Sequence, residues 1–283
     1  MTLINFKAIA AAALLVIGQT SGPDNSPVEP YRIADNVYFV GSSDISSFLL
    51  TSPAGHILID AGFEQTVPLI EASVAKLGFA LRDIKILLNT QAHNDHAAGF
   101  AKLKALTGAR LMIGERDVPL IERGGKGDFI LGPEYEFPPA VVDRRLKDGD
   151  QVTLGGRTLT ARMTPGHTKG CTTWTFDATD RGRSYKVVVL CGLTLLDGVR
   201  ASGMPAYPTI QSDYERTFEV LKHLPVDIFL GAHPSYFDGK RKAAEMRQHP
   251  DGPNPFIDPA GFRAFVDAAE KRFRERLKSE QPR

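Results

Sequence analysis

The chain lacks an excess of charge of either sign. Lysine and arginine number 34 against 33 acidic residues, for a formal net charge of +1. Holding a polyanion takes a basic field, so nucleic acid is excluded as a partner. Long apolar runs are equally scarce. Past the first residues, no stretch is apolar enough for a transmembrane helix, which takes about 20 such residues. No fixed repeat period or domain linker is visible either, so the chain reads as a single α/β domain. Its 283 residues, 42% hydrophobic and 24% charged, suffice for a sizeable core.

The one apolar run, Ala8 to Ile17, follows Lys7 and precedes small and polar residues. It is too short to span a bilayer and has the form of a secretory signal peptide. Residues 1–22 are thus expected to be a signal peptide and 23–283 the mature domain, periplasmic in a Gram-negative source. The competing reading is an N-terminal helix of the mature protein. Cysteine is also scarce, with two in all. Cys171 opens one strand-like segment and Cys191 closes another, with turn residues Asp180-Arg181-Gly182 between them. A hairpin centred on Arg181 puts the two cysteines opposite each other, close enough to bridge in an oxidising compartment. The alternative is two free, buried cysteines acting as small hydrophobes.

Strand patterns occur at Val37–Val40, Ser47–Leu50 and His56–Ile59, and a helix is expected from Thr66 to Leu77. A strand at Ile84–Leu88 precedes Gln91-Ala92-His93-Asn94-Asp95-His96, and a helix follows from Phe100 to Leu106. Leu111–Ile113, Gln151–Leu154 and Thr158–Met163 read as strands. A helix from Ser212 to Leu224 precedes a strand at Asp227–Leu230. Asp258-Pro259 starts the last helix. Between Arg116 and Pro139 the chain is rich in glycine and proline, as expected of a long loop that is either functional or disordered.

His93, Asp95 and His96 place three good metal ligands within four residues at the end of a strand. Imidazole nitrogen and carboxylate oxygen suit zinc, and catalytic zinc sites keep one position open for water. His167 and His233 also follow strand-like runs, flanked by glycine or proline. Loops at strand ends meet along one edge of an α/β sheet, where such sites are built. His56, His223 and His249 have ordinary structural settings and are set aside.

These residues, with Gly55-His-Ile-Leu-Ile-Asp60-Ala-Gly62, Gly166-His-Thr-Lys-Gly-Cys-Thr-Thr-Trp174 and His233-Pro-Ser-Tyr-Phe-Asp238, resemble the metallo-β-lactamase superfamily. More narrowly, the chain resembles the third subclass of class B (zinc) β-lactamases. The resemblance implies an αββα sandwich and a site for one or two Zn2+ ions. Gln91, His93 and His167 would bind the first, with glutamine standing where that subclass has histidine. Asp95, His96 and His233 would bind the second, and Asp60 would orient a ligand from behind. Cys171, Cys191 and Trp174 would stay off the metal.

The implied reaction is opening of a β-lactam amide by metal-bound hydroxide, which Asp95 would orient. Phe129 and Ile130 would wall the substrate groove, and Thr194 would hold the substrate carboxylate. The expected form is a monomer acting on a small-molecule β-lactam, with no membrane association once the signal is removed. The same scaffold hosts glyoxalase II-like thioesterases and lactonases. Those relatives place a bridging aspartate after a glycine where this chain has Gly192-Leu193, which favours the β-lactam reading. A third possibility, a metal-binding protein with an impaired first site, follows from Gln91.

Overall fold

A computed structural model describes residues 23–281; the expected signal peptide lies outside them. Inner strands form where apolar runs lack polar alternation, because they are covered on both faces. In chain order the first half contains β1 (Tyr31–Ala34), β2 (Val37–Phe39), β3 (Phe48–Leu50), β4 (His56–Ile59), α1 (Val67–Lys76), β5 (Ile84–Leu88) and α2 (Asn94–Ala97). It continues with α3 (Phe100–Thr107), β6 (Arg110–Gly114), α4 (Val118–Glu122) and β7 (Arg144–Leu146). The second half contains β8 (Gln151–Leu154), β9 (Arg157–Met163), β10 (Thr172–Asp180), β11 (Arg183–Leu190), α5 (Ile210–Lys222), β12 (Ile228–Gly231), α6 (Gly239–Gln248) and α7 (Pro259–Ser279).

The strands form two sheets, of seven in the order β1 to β7 and of five in the order β12-β11-β10-β9-β8. Pairing is antiparallel from β1 to β4 and parallel from β4 to β7. In the second sheet only β11 and β12 run parallel. Alternate side chains of a strand point to opposite faces. Ile57 and Ile59 accordingly join Trp174, Phe176, Val187 and Val189 in the core between the sheets. Leu58, between them, joins Val67, Ile70 and Phe100 beneath α1 and α3. Phe218 of α5 and Phe273 of α7 cover the other sheet. The layers are helix, sheet, sheet, helix, as the resemblance implied.

Asp258 caps α7 by accepting the Gly261 N–H at 2.8 Å, with Pro259 in the first turn. Two sequence expectations change. The segment Arg116–Pro139 is not loop throughout, since α4 occupies its start and a 3-10 turn forms at Pro133–Tyr135. The β10–β11 turn centres between Arg181 and Gly182, both at positive φ, and Asp180 pairs with Arg183. Two left-handed residues match the strand twist of a two-residue hairpin. The register is therefore one residue away from the expected facing of Cys171 and Cys191. They are nevertheless joined by a disulfide, with Cα atoms 5.9 Å apart. Both lie just past their strand ends, where strict pairing has stopped.

Candidate metal centre

The parallel strand β5 ends at Leu88 and delivers Gln91, His93, Asp95 and His96 within one tight connection into α2. The β9–β10 connection supplies His167, and the end of β12 supplies His233. Two sheets therefore contribute to one cluster. Asp95, His96 and His233 each offer a ligand atom within 4.8 Å of the others. The Nε2 atoms of His96 and His233 are 3.3 Å apart, and Asp95 Oδ2 lies 3.2 Å from the first and 3.7 Å from the second. Beside them, the rings of His93 and His167 have centroids 4.8 Å apart. Gln91 belongs to that second group. A Cβ placed on Gly192 would come within 2.7 Å of Gln91 Oε1 and 2.4 Å of His167 Cδ2, so only glycine fits there.

Each imidazole needs its far nitrogen held if the near one is to bind metal. Asp60 Oδ2 lies 3.2 Å from His96 Nδ1, and this carboxylate is fixed by Asn89 and by the backbone and hydroxyl of Thr90. Asp60 adopts a left-handed backbone (φ 62°) at the end of β4, which turns its side chain under the ligand connection. The Thr194 carbonyl accepts from His167 Nδ1 at 2.6 Å, and the Asp44 carbonyl accepts from His233 Nδ1 at 2.8 Å.

The electrostatics suit a cation. Burial lowers the pKa of His93 to about 4 and of His167 to about 3, so both rings are neutral at pH 7. His233 is also lowered, chiefly by burial. Burial works against charge on His96 as well, but the carboxylates of Asp95 and Asp60 outweigh it and raise its pKa to about 10. Burial opposes charge on Asp95 too, yet the neighbouring histidines hold it well below the usual carboxylate range. One proton thus sits where three ligand atoms converge, and a metal ion would replace it. Gln91 Oε1 is buried with no hydrogen-bond partner, as expected of a group arranged around an ion. The residues present fit a metal.

Among the residues expected to touch substrate, Phe129 and Ile130 are partly buried. Phe129 lines a cavity of about 210 Å³ with Asp117, Thr168 and Lys169, and its ring stands edge-on to Tyr207 at 5.0 Å. Thr194 is exposed, and what it gives His167 is its backbone carbonyl. Trp174 is fully buried and donates to the Asn89 carbonyl at 3.0 Å.

One important group was missed in the sequence. Buried Asp117 accepts from Ala92 N at 3.1 Å, Thr168 Oγ1 at 2.6 Å and Gly170 N at 2.6 Å. It thereby ties the connection bearing His93 to the one bearing His167. Burial raises its pKa to about 6 against the pull of those hydrogen bonds.

A two-sheet sandwich with histidines and an aspartate converging at its strand ends defines a metallo-hydrolase. The family profile described as "Metallo-beta-lactamase superfamily" matches residues 40–233, and the chain belongs to that superfamily. The native FEZ-1 metallo-beta-lactamase from Legionella gormanii superposes with a TM-score of 0.88 at 41% identity, over 91% of this chain and 98% of that one. BJP-1, a subclass B3 metallo-beta-lactamase of Bradyrhizobium japonicum, gives 0.83 at 39% identity, over 90% and 96%. A hydroxyacylglutathione hydrolase of Hyphomonas neptunium is 36% identical over 99 residues, 35% of this chain and 30% of that protein. The chain spans less than half the length of the first curated relatives it matches, at 45%, 30% and 41%.

Proposed function

We propose that this chain is a zinc-dependent β-lactamase of the subclass B3 type, exported by its N-terminal segment to the periplasm and acting there as a monomer. The observation that carries this reading is correspondence over nearly the whole length of solved β-lactamases, 98% of FEZ-1 and 96% of BJP-1. The hydroxyacylglutathione hydrolases match over much shorter lengths. Leu193, buried after Gly192, agrees with it, because an apolar side chain there cannot bridge two metal ions as a carboxylate could.

His93, His167 and Gln91 would hold one zinc, and Asp95, His96 and His233 the other. Zinc bound there supplies a Lewis acid and an activated water near neutral pH. Asp95, held ionised by the neighbouring histidines, would orient the attacking water as well as hold metal. Asp60 and the Thr194 and Asp44 carbonyls keep the imidazoles from turning. Phe129 and Ile130 provide apolar surface beside the site, and the exposed Thr194 hydroxyl is available to a substrate carboxylate. No side-chain nucleophile is required.

The test pairs two substrates. Purified protein with added zinc is expected to open a chromogenic cephalosporin, to lose that activity with a chelator and to regain it with zinc. Cleavage of a glutathione thioester without cephalosporin turnover would replace this reading with a thioesterase. Zinc binding without either activity would point to a binding protein.

A further inference from the structure

Three of the four clustered histidines show the same arrangement. His96, His167 and His233 each give Nδ1 to a fixed oxygen of the protein and so turn Nε2 toward the metal centre. His93 is the exception. Its Nε2 is buried without a hydrogen-bond partner, and the nearest carboxylate oxygen, Asp128 Oδ2, is 3.8 Å away. That oxygen is also buried and also unpartnered. Both side chains are almost fully enclosed, at 5% and 3% exposure. The other oxygen of Asp128 is occupied, accepting from Ile130 N at 2.8 Å and Leu131 N at 2.9 Å.

We propose that Asp128 is a positioning residue for the first metal site, its free oxygen accepting the proton on His93 Nε2 so that Nδ1 faces the metal. The inference rests on the metal-centre reading above, and not on which substrate is hydrolysed. An imidazole bound to metal through one nitrogen carries its proton on the other. In a closed site that N–H needs an acceptor, and Asp128 Oδ2 is an unused one facing it. Metal binding would then draw the two groups from 3.8 Å to hydrogen-bond distance, roughly 2.9 Å. Asp128 lies in the glycine-rich segment that also carries Phe129 and Ile130, so occupancy of the first site would position the apolar wall of the substrate groove.

Asp128→Asn separates this role from the turn. Asparagine has one acceptor oxygen. If it serves Ile130 and Leu131, an NH2 group opposes His93 Nε2–H, donor against donor. First-site zinc affinity, measured by chelator competition, is expected to fall about 10–100-fold, the usual effect of losing a ligand's hydrogen-bond partner. Second-site affinity in the same protein should hold. Unchanged affinity, or an equal fall at both sites, would overturn the proposal. The zinc-loaded wild-type protein provides a second measurement that no folding defect affects. Its histidine 1H–15N spectra should show His93 protonated at Nε2 and His96, His167 and His233 at Nδ1. A His93 ring protonated at Nδ1 would overturn the proposal. Neither readout uses catalysis, so both stand even if the β-lactam assignment fails.

Discussion

Replacing Asp117 with asparagine should produce a stability change whose size depends on pH in a calculable way. In the native protein both carboxylate oxygens are used, one by Ala92 N–H and the Thr168 hydroxyl, the other by Gly170 N–H. Asparagine can keep the first two and must turn its NH2 on the third, which costs about 1–3 kcal/mol for one buried donor left unpaired. Against this stands the cost of burying a charge. The Asp117 pKa is raised from 3.8 to about 6, so folding favours its protonated form. With the folded value above the unfolded one, this stabilisation is complete below pH 3.8 and is lost as pH rises through 6. At 1.36 kcal/mol per pH unit, the loss comes to about 3 kcal/mol. The wild-type advantage over Asp117→Asn should therefore shrink by about 2 kcal/mol between pH 4 and pH 7, most of the full loss. Urea unfolding of the metal-free proteins, followed by Trp174 fluorescence, measures the difference directly. A difference that stays flat over this range, or grows with pH, would refute the account of Asp117 as a carboxyl held against its burial cost.

Three further outcomes follow from the same geometry. Gln91→His replaces a neutral amide oxygen with imidazole and should tighten first-site zinc binding on the order of tenfold, about 1.4 kcal/mol; calorimetric titration showing equal affinity at the two wild-type sites would count against a weak first site. Asp60→Asn presents an amide to His96 Nδ1 and should weaken the second site about 10–100-fold while leaving the first within twofold, measured by the same titration. Replacing Cys171 and Cys191 together by serine opens a loop with a sequence separation of 20. This should cost about 3 kcal/mol in the unfolding free energy, and a loss below about 1 kcal/mol would show that the bridge constrains the unfolded chain little.

The inner strands were legible in the sequence because burial on two faces leaves a continuous apolar run, as in Ile57–Ile59 and Ile86–Leu88. The outer elements were not. β7 pairs only with β6 and carries Arg144 and Arg145, since an edge strand needs backbone more than apolar side chains. β1, at the opposite edge, is short and half-exposed. Helix α6, Gly-Lys-Arg-Lys-Ala-Ala-Glu-Met-Arg-Gln, has too few apolar residues to be recognised. The ligand cluster stood out because three donors fall within four residues. Its supports did not, because they act across the fold: Asp117 reaches residues 25, 51 and 53 positions away. Two more supports are main-chain carbonyls, at Asp44 and Thr194, and any residue type can supply those. The hairpin register failed by one because a turn has two centres when two residues take positive φ.

The cluster draws His93, Asp95 and His96 from one sheet and His167 and His233 from the other, and beside it the two halves are tied by Asp117, by the Thr172 N–H on the Thr90 carbonyl and by the Trp174 indole on the Asn89 carbonyl. An ion held there would act as a crosslink between the halves, present only in the folded molecule. Its free concentration would then be written into the melting curve. Stabilisation by a folded-state ligand grows as RT ln(1 + [L]/Kd), about 1.4 kcal/mol for each tenfold rise above Kd. Where zinc supply varies, the lifetime of the protein would follow that supply even when no substrate is present.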